Sequence, residues 1–393
     1  MTDSIPDASV TRPIVLTFLS IYLPGYKAGG PLRTIYNMTE ALSGEFHFKI
    51  VTSDRDAGDL APYPSIRDSW QKVGKAEVLY LPTEALTLDR CKTILETTPH
   101  DVVYFQSCFS PFTIRPLLAM KLRMAGAAAI VAPRGELYPG ALSIRRTKKI
   151  AYLVLSRLCG LYARTLWQAS SEEEAATIRK WFGKHARVMV APNLAQYSVE
   201  SRQERKEKRP GHLKVVFFSR IARKKNLAGA LHFLRFLEGE VEFDIVGPAE
   251  DAGYWEICRK LISDLPPNIK VSYRGAFPHE QVARVLAEYE LLLLPTLGEN
   301  FGHVILESLL AGCPVLLSDQ TPWRNLEKLG AGWDLSLDQQ QRFVDVLRTC
   351  VNMNENEHRK LREGARELGR RHATDQNVLA ANRNLLMAMA GTN

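Results

Sequence analysis

Residues 298–315, GENFGHVILESLLAGCPV, place two carboxylates, Glu299 and Glu307, around the start of a helix. The segment follows an apolar run, Leu291–Leu294, that closes with Pro295-Thr296. Such a run reads as a buried strand, so Glu299 falls in the loop after it and Phe301-Gly302-His303 begin the next helix. At a rise of about 1.5 Å per residue, Glu307 lies roughly 6–8 Å along the axis from that start. Free backbone N–H groups and the helix dipole favour an anion at the same place. The combination suits a nucleoside diphosphate sugar, with diphosphate on the amides and one carboxylate for each sugar ring. The plainer alternative is one glutamate as a helix cap and the other on the surface.

Two further loops offer cations and glycines. Ser219–Asn226, SRIARKKN, follows another apolar run and holds four cations among eight residues. Arginine gives phosphate oxygens a planar fork, and lysine a compact charge. The dipole at a helix start disfavours this much positive charge, which argues for a bound anion over a solvated face. Upstream, residues 24–31, PGYKAGGP, run into a helix beginning near Leu32. Gly29 and Gly30 there permit close approach of an anion to backbone N–H groups, or simply supply a turn at positive φ. Neither G-K-[ST] nor G-x-G-x-x-G is present. Pro133-Arg134-Gly135-Glu136 follows a first-half strand, which makes Arg134 and Glu136 candidates for contact with a second substrate.

The elements that must position these loops alternate. Val-, Ile- and Phe-rich runs appear at Ile14–Ser20, Phe48–Ser53, Glu77–Pro82, Val102–Ser107, Ala129–Pro133, Thr165–Ser170 and Val188–Pro192. They are apolar on both faces, as a covered parallel sheet demands. Helical patterns such as Leu32–Leu42, Phe112–Ala125 and Ser171–Phe182 lie between them. The alternation restarts at Lys214–Ser219, Glu242–Gly247, Lys270–Gly275, Leu291–Pro295 and Pro314–Ser318. The expectation is an α/β protein with a first Rossmann-like domain over 1–198, a charged linker at 199–212 and a second such domain over 213–374. A terminal helix within 375–393 packs back on the first domain. Ligands of doubly wound sheets bind outside the strands' carboxyl ends, so the site belongs in a cleft between the two domains.

With 393 residues, 46% hydrophobic and 24% charged, the chain is neither disordered nor fibrous. Its six cysteines form no C-x-x-C pair, which speaks against a zinc ribbon or redox dithiol and for a reducing compartment. No apolar run reaches the roughly 20 residues of a membrane helix, so a cytoplasmic protein is expected. The net charge of +8 is uneven: +7 falls in residues 1–195 and +1 in 196–393. Ser143–Leu161 sets Arg145, Arg146, Lys148 and Lys149 beside Ile150, Tyr152, Leu153 and Leu155. That pattern suits either a core-facing helix with a charged outer side or one resting on an anionic membrane. The cations cluster after strands and in one helix, without the interleaved aromatics of a nucleic-acid surface.

The run from Glu299 to Glu307 resembles the E-x7-E motif of retaining glycosyltransferases of family 4, which have the GT-B architecture: two Rossmann-like β/α/β domains facing a central cleft. Gly29-Gly30-Pro31 is similar to that family's glycine loop, and Ser219-Arg220…Lys225-Asn226 to its phosphate-binding Arg and Lys. Val246-Gly247 and Arg274-Gly275 resemble strand ends bordering the base, and Ala311-Gly312-Cys313-Pro314-Val315 the G-x-P-V segment. By that resemblance Arg220 and Lys225 hold the donor diphosphate and Glu307 the ribose. Glu299 touches the transferred sugar, while Asn300, Phe301, Gly302 and His303 lie near sugar or phosphate. Where relatives carry a histidine near the donor sugar, this chain has Gln106. The resemblance implies no metal and no cofactor beyond the nucleotide-sugar donor.

The implied reaction is hexosyl transfer, with retention, from a UDP- or GDP-sugar to a saccharide or lipid-linked saccharide in bacterial surface polysaccharide synthesis. It implies a cytoplasmic enzyme, peripheral on the inner membrane through its basic first domain. The competing reading is a sugar-nucleotide epimerase of the same architecture.

Overall fold

Strands that are apolar on both faces are stable only when helices cover each side, and the runs named above form two such sheets. The computed structural model describes residues 12–27, 29–64, 66–122, 129–143, 146–195 and 207–391. The first sheet contains β1 (Ile14–Phe18), β2 (His47–Ser53), β3 (Gln71–Val73), β4 (Ala76–Leu81), β5 (Val102–Phe105), β6 (Ala129–Val131), β7 (Thr165–Ala169) and β8 (Val188–Val190). Its order is β3-β4-β2-β1-β5-β6-β7-β8, parallel except for β3. The second contains β9 (His212–Phe218), β10 (Glu240–Val246), β11 (Ile269–Gly275), β12 (Leu291–Leu294), β13 (Val315–Ser318) and β14 (Gly332–Leu335). Its order is β11-β10-β9-β12-β13-β14, and every pairing is parallel.

Only β3 and β14 lie outside the anticipated runs. Both are sheet edges, where one side of the ladder is free and a short, half-polar strand suffices. In each sheet the chain winds outward in one direction and then returns to the other side of its starting strand. The reversals fall between β1 and β5, and between β9 and β12. Loops leaving these four strands diverge and open a crevice.

Alternation along β1 fixes the layers of the first domain. Leu16 and Phe18 pack with Val51, Val103 and Phe105 on one face. Val15 joins Phe48, Ile50, Val102 and Tyr104 on the other, together with Leu385, Leu386 and Met389 of the helix Gln376–Ala390. The last helix therefore completes the first domain's core, and each buried leucine contributes about 1.5–3 kcal/mol. Arg383 anchors it through two hydrogen bonds to Glu45, at 2.6 and 2.7 Å.

Of the charged segment 199–212, residues up to 206 lie outside the described residues, as does Arg145 of the basic helix. At the segment's end Glu207 and residues 209–211 are exposed, but Lys208 turns inward. Lys208 is buried against Glu290 at 3.6 Å, and its backbone N–H donates to Glu355 at 2.7 Å.

Candidate active site

Loops from β1, β5, β6, β9, β10 and β12 line a cavity of about 490 Å³ between the two sheets. The first domain contributes Gly29, Gly30, Gln106, Arg134 and Glu136. The second contributes Arg220, Lys225, Gly247, Glu299, Asn300, Phe301, Gly302, His303 and Glu307. Val246, Arg274 and Gly275 are not on this wall. Val246 is buried in the second domain's core, and Arg274 turns to Asp244 at 3.0 Å. The residues that follow β10 and β11, Gly247, Pro248, Ala276 and Phe277, reach the cleft.

The loops after β9 and β12 are tied into one unit. Asn226, at φ 59°, caps the helix Leu227–Leu234 through its Oδ1 and donates from Nδ2 to the Pro295 carbonyl at 2.9 Å. The Lys224 carbonyl accepts from Leu297 N–H at 2.8 Å and from Thr296 Oγ1 at 3.0 Å. These bonds bring Lys225 Nζ onto Glu299 Oε2 in a half-buried ion pair. Burial works against the Glu299 charge, but Lys225, helped by Lys224, outweighs it and holds the carboxyl below its ordinary range. Lys224 also lines the cleft, and burial lowers its pKa. Arg220 is more open and pairs with Glu250.

Helix His303–Ala311 starts at Gly302, whose φ of 78° suits glycine. Glu307, one turn in, is pushed up by burial, opposed by the nearby Arg33. His279 Nδ1 lies 3.6 Å from it. Burial, reinforced by Arg33 and Arg134, lowers the His303 pKa to about 3 and keeps the ring neutral. Its Nε2 is 3.0 Å from Thr34 Oγ1 on the opposite wall. Thr34 spends its proton on the Gly30 carbonyl, so His303 Nε2–H is the donor. Asn300 Oδ1 meets Ser170 Oγ across the same gap at 2.9 Å.

On the first-domain wall Gly29 forms a turn at positive φ that faces Arg220. It has φ 76°, and a Cβ placed there would sit 4.0 Å from Arg220 Nε. Arg134, at φ 54°, donates to Gln106 Oε1 at 2.9 Å, to the Tyr104 hydroxyl at 2.8 Å, to Gln168 Oε1 at 3.2 Å and to Asn193 Oδ1. Gln106 Nε2 is buried without a hydrogen-bond partner. Glu136 accepts from Cys108 N–H at 2.6 Å and from Ser107 Oγ at 2.8 Å, yet burial still raises its pKa.

Arg33, Thr34 and His279 line the cleft without having been singled out in the sequence, and Lys224, read there only as one of four cations in residues 219–226, joins them. Arg33 carried a readable signal, a cation in the first turn of a helix, the same conflict that marked residues 220–226. Asp54-Arg55-Asp56 has a spacing used elsewhere for metals, but here both carboxylates face protein donors. Asp54 pairs with Arg55 at 2.7 Å, and Asp56 accepts from the backbone of Tyr26 at 2.8 Å. Among the described residues no group of three His, Cys, Asp or Glu could hold a metal ion, and no helix is long and apolar enough to cross a membrane.

Comparison with known proteins bears on the fold. A sucrose-phosphate synthase from Thermosynechococcus elongatus superposes with a TM-score of 0.75 at 15% identity, covering 97% of this chain and 100% of that one. Alr3699/HepE of Anabaena, in complex with UDP and glucose, gives 0.68 at 14% identity, with 96% and 100% covered. A curated relative, an uncharacterized 41.2 kDa protein in the cps region of Klebsiella pneumoniae, is 21% identical over 299 residues, 74% of this chain and 78% of that one. Residues 199–368 match the family model of glycosyl transferases group 1. Residues 199–368 are thus similar to a glycosyltransferase group 1 domain, and the two parallel-sheet domains share the GT-B fold of these neighbours.

Proposed function

We propose that the cleft moves a hexosyl unit from a UDP- or GDP-sugar to a hydroxyl of a saccharide or lipid-linked saccharide, with retention at the anomeric carbon and without a metal. The observation that carries this reading is the convergence of Arg220, Lys224, Lys225 and the 303–311 helix start, with Glu299 and Glu307 beside them, on one cavity. The physical problem is negative charge collecting on a departing diphosphate. Cations and helix amides already aimed at that charge stabilise it without having to reorganise as the bond breaks.

In this reading Arg220, Lys225 and the amides near Gly302 hold the diphosphate, with the Gly29-Gly30 turn closing over it. Glu307 takes the ribose hydroxyls and Glu299 the hydroxyls of the transferred sugar. Glu299 is paired and ionised, which suits a hydrogen-bond acceptor and not a general acid. The acceptor hydroxyl attacks the face the diphosphate leaves. The C–O bond to phosphate breaks as the new glycosidic bond forms, and the hydroxyl proton passes to the departing phosphate oxygen. The UDP and glucose bound to the Anabaena neighbour support a UDP-sugar donor. The relative from a cps region supports a role in bacterial surface polysaccharide synthesis.

The test is product analysis with a panel of UDP- and GDP-sugars and saccharide or lipid-linked acceptors. A glycosylated acceptor and an equal amount of free nucleoside diphosphate are expected, with an unchanged anomeric configuration. Donor alone should stay intact, and an isomerised nucleotide sugar would establish the epimerase instead.

A further inference from the structure

The loop that carries Glu299 is held from outside its own strand. Residues 299–302 follow β12, yet two bonds tie their backbone to residues 319–324, which follow the neighbouring strand β13. Glu299 N–H donates to the Gln320 carbonyl at 2.8 Å, and the Phe301 carbonyl accepts from Trp323 Nε1–H at 2.7 Å. Trp323 is 4% exposed and stands behind the cavity wall, not on it. Its place is fixed by Thr321, whose Oγ1 accepts from Trp323 N–H at 3.3 Å. Its ring rests between Phe301, at 6.0 Å, and His372, at 4.6 Å.

The bond to the Phe301 carbonyl acts on the other end of that peptide. A trans peptide unit is planar, with C=O and N–H pointing in opposite directions. The Phe301–Gly302 unit is trans, so a carbonyl drawn to Trp323 turns the Gly302 N–H the other way, toward the cavity that Phe301, Gly302 and His303 line. Among the described residues nothing accepts from that N–H. Gly302 makes the restraint necessary. At φ 78° it lies in the left-handed region, and a residue without Cβ lets the preceding peptide turn over at little cost. Turned over, the unit would present a carbonyl oxygen to the diphosphate in place of a donor.

We propose that Trp323 is a positioning residue of the donor site: its indole N–H fixes the Phe301–Gly302 peptide so that the Gly302 N–H meets the diphosphate. This rests on the transferase reading of the cleft. Packing alone would be served as well by phenylalanine, and that difference is what can be measured.

The experiment compares the binding of UDP and GDP with that of uridine and guanosine to the full chain, by competition in ligand-observed NMR. The nucleosides lack the diphosphate, so the ratio of affinities reads the Gly302 amide and cancels any general loosening of the domain. Trp323→Phe keeps a ring and removes the N–H; it should weaken the nucleoside diphosphate about 10-fold and the nucleoside less than about 2-fold. Trp323→Leu also gives up the ring contacts and should lower Tm further, with the ratio where Trp323→Phe puts it. An unchanged ratio in both variants, whatever their Tm, overturns the positioning role and leaves the transferase reading standing. A wild-type chain that binds neither diphosphate overturns that reading, and this proposal with it.

Discussion

The best-anchored cations of the cleft are held in two opposite ways. On the second-domain wall Lys225 leans on Glu299 and Arg220 on Glu250, as Lys27 does on Asp59 across the cleft. On the first-domain wall Arg134 is held by amide and hydroxyl oxygens of Gln106, Tyr104, Gln168 and Asn193. A cation paired with a carboxylate can exchange it for an incoming phosphate without being stripped of countercharge. An arginine fixed by neutral groups from several strands cannot leave and stands as a permanent positive charge. Lys225 and Arg220 are placed for exchange, and Arg134 for position.

The strongest way to break this contrast is on the exchanging side. Lys225→Ala should lower kcat about 100-fold or more, because a charge-assisted bond of about 1.5–3 kcal/mol is lost at the leaving group together with its field. Arg220→Ala, at a more open position, should cost about 10-fold. Release of nucleoside diphosphate at saturating donor reads both. Equal, small effects would mean that the diphosphate sits elsewhere.

On the fixed side the loss should appear as stability. Arg134→Leu strands the acceptors on Gln106 and Asn193, while Gln168 keeps the Tyr104 hydroxyl, and a broken buried network of this kind costs about 2–4 kcal/mol. Urea unfolding of the variant should show the midpoint fall with an unchanged slope. If stability holds while only acceptor KM rises, Arg134 is an exchanging residue too.

This contrast also decided what the sequence could reveal. The second wall was legible because its parts are contiguous: residues 219–226 and 298–307 each carry a whole motif, and helix and strand patterns place both after strands. The first wall is assembled from one or two residues per strand, Tyr104, Gln106, Arg134, Gln168 and Asn193, whose meeting depends on sheet order. The signal was there in a weak form. Tyr104 and Gln168 are polar groups inside otherwise apolar runs, and such groups need partners when buried. Val246, Arg274 and Gly275 lie within β10 and β11, and the residues just past them, Gly247, Pro248, Ala276 and Phe277, line the cavity; an apolar run does not mark the last residue of a strand.

Glu307 allows a sharper test of its own wall. Glu307→Ala should raise donor KM about 10-fold with a smaller effect on kcat, since the ribose is not the reacting ring. Burial raises its pKa above the ordinary carboxylate value, so the folded state binds the proton more readily than the unfolded one. That contribution to stability is present below the unfolded pKa of about 4.3 and is lost as pH rises through the raised value. At neutral pH the buried charge is a cost, so Glu307→Gln should raise Tm by about 2–4 °C at pH 7 and by almost nothing near pH 4. Thermal unfolding at the two pH values measures this directly.

The smallest effect expected is where the walls touch. Thr34→Val removes the acceptor of the His303 Nε2–H and should weaken donor binding only about 5-fold, the worth of one net hydrogen bond of about 1 kcal/mol. With its pKa lowered to about 3, His303 binds fewer protons folded than unfolded. Its contribution to stability is therefore present above about pH 6.5 and is lost as pH falls toward 3. Between pH 5 and 8 the folded ring stays neutral, so the Thr34→Val effect on donor KM should be the same at both ends of that range. An effect that grows toward pH 5 would show His303 charged in the closed cleft. The second wall would then carry one more cation without a carboxylate of its own, and the division between exchanging and fixed sides would have to be redrawn around the helix start.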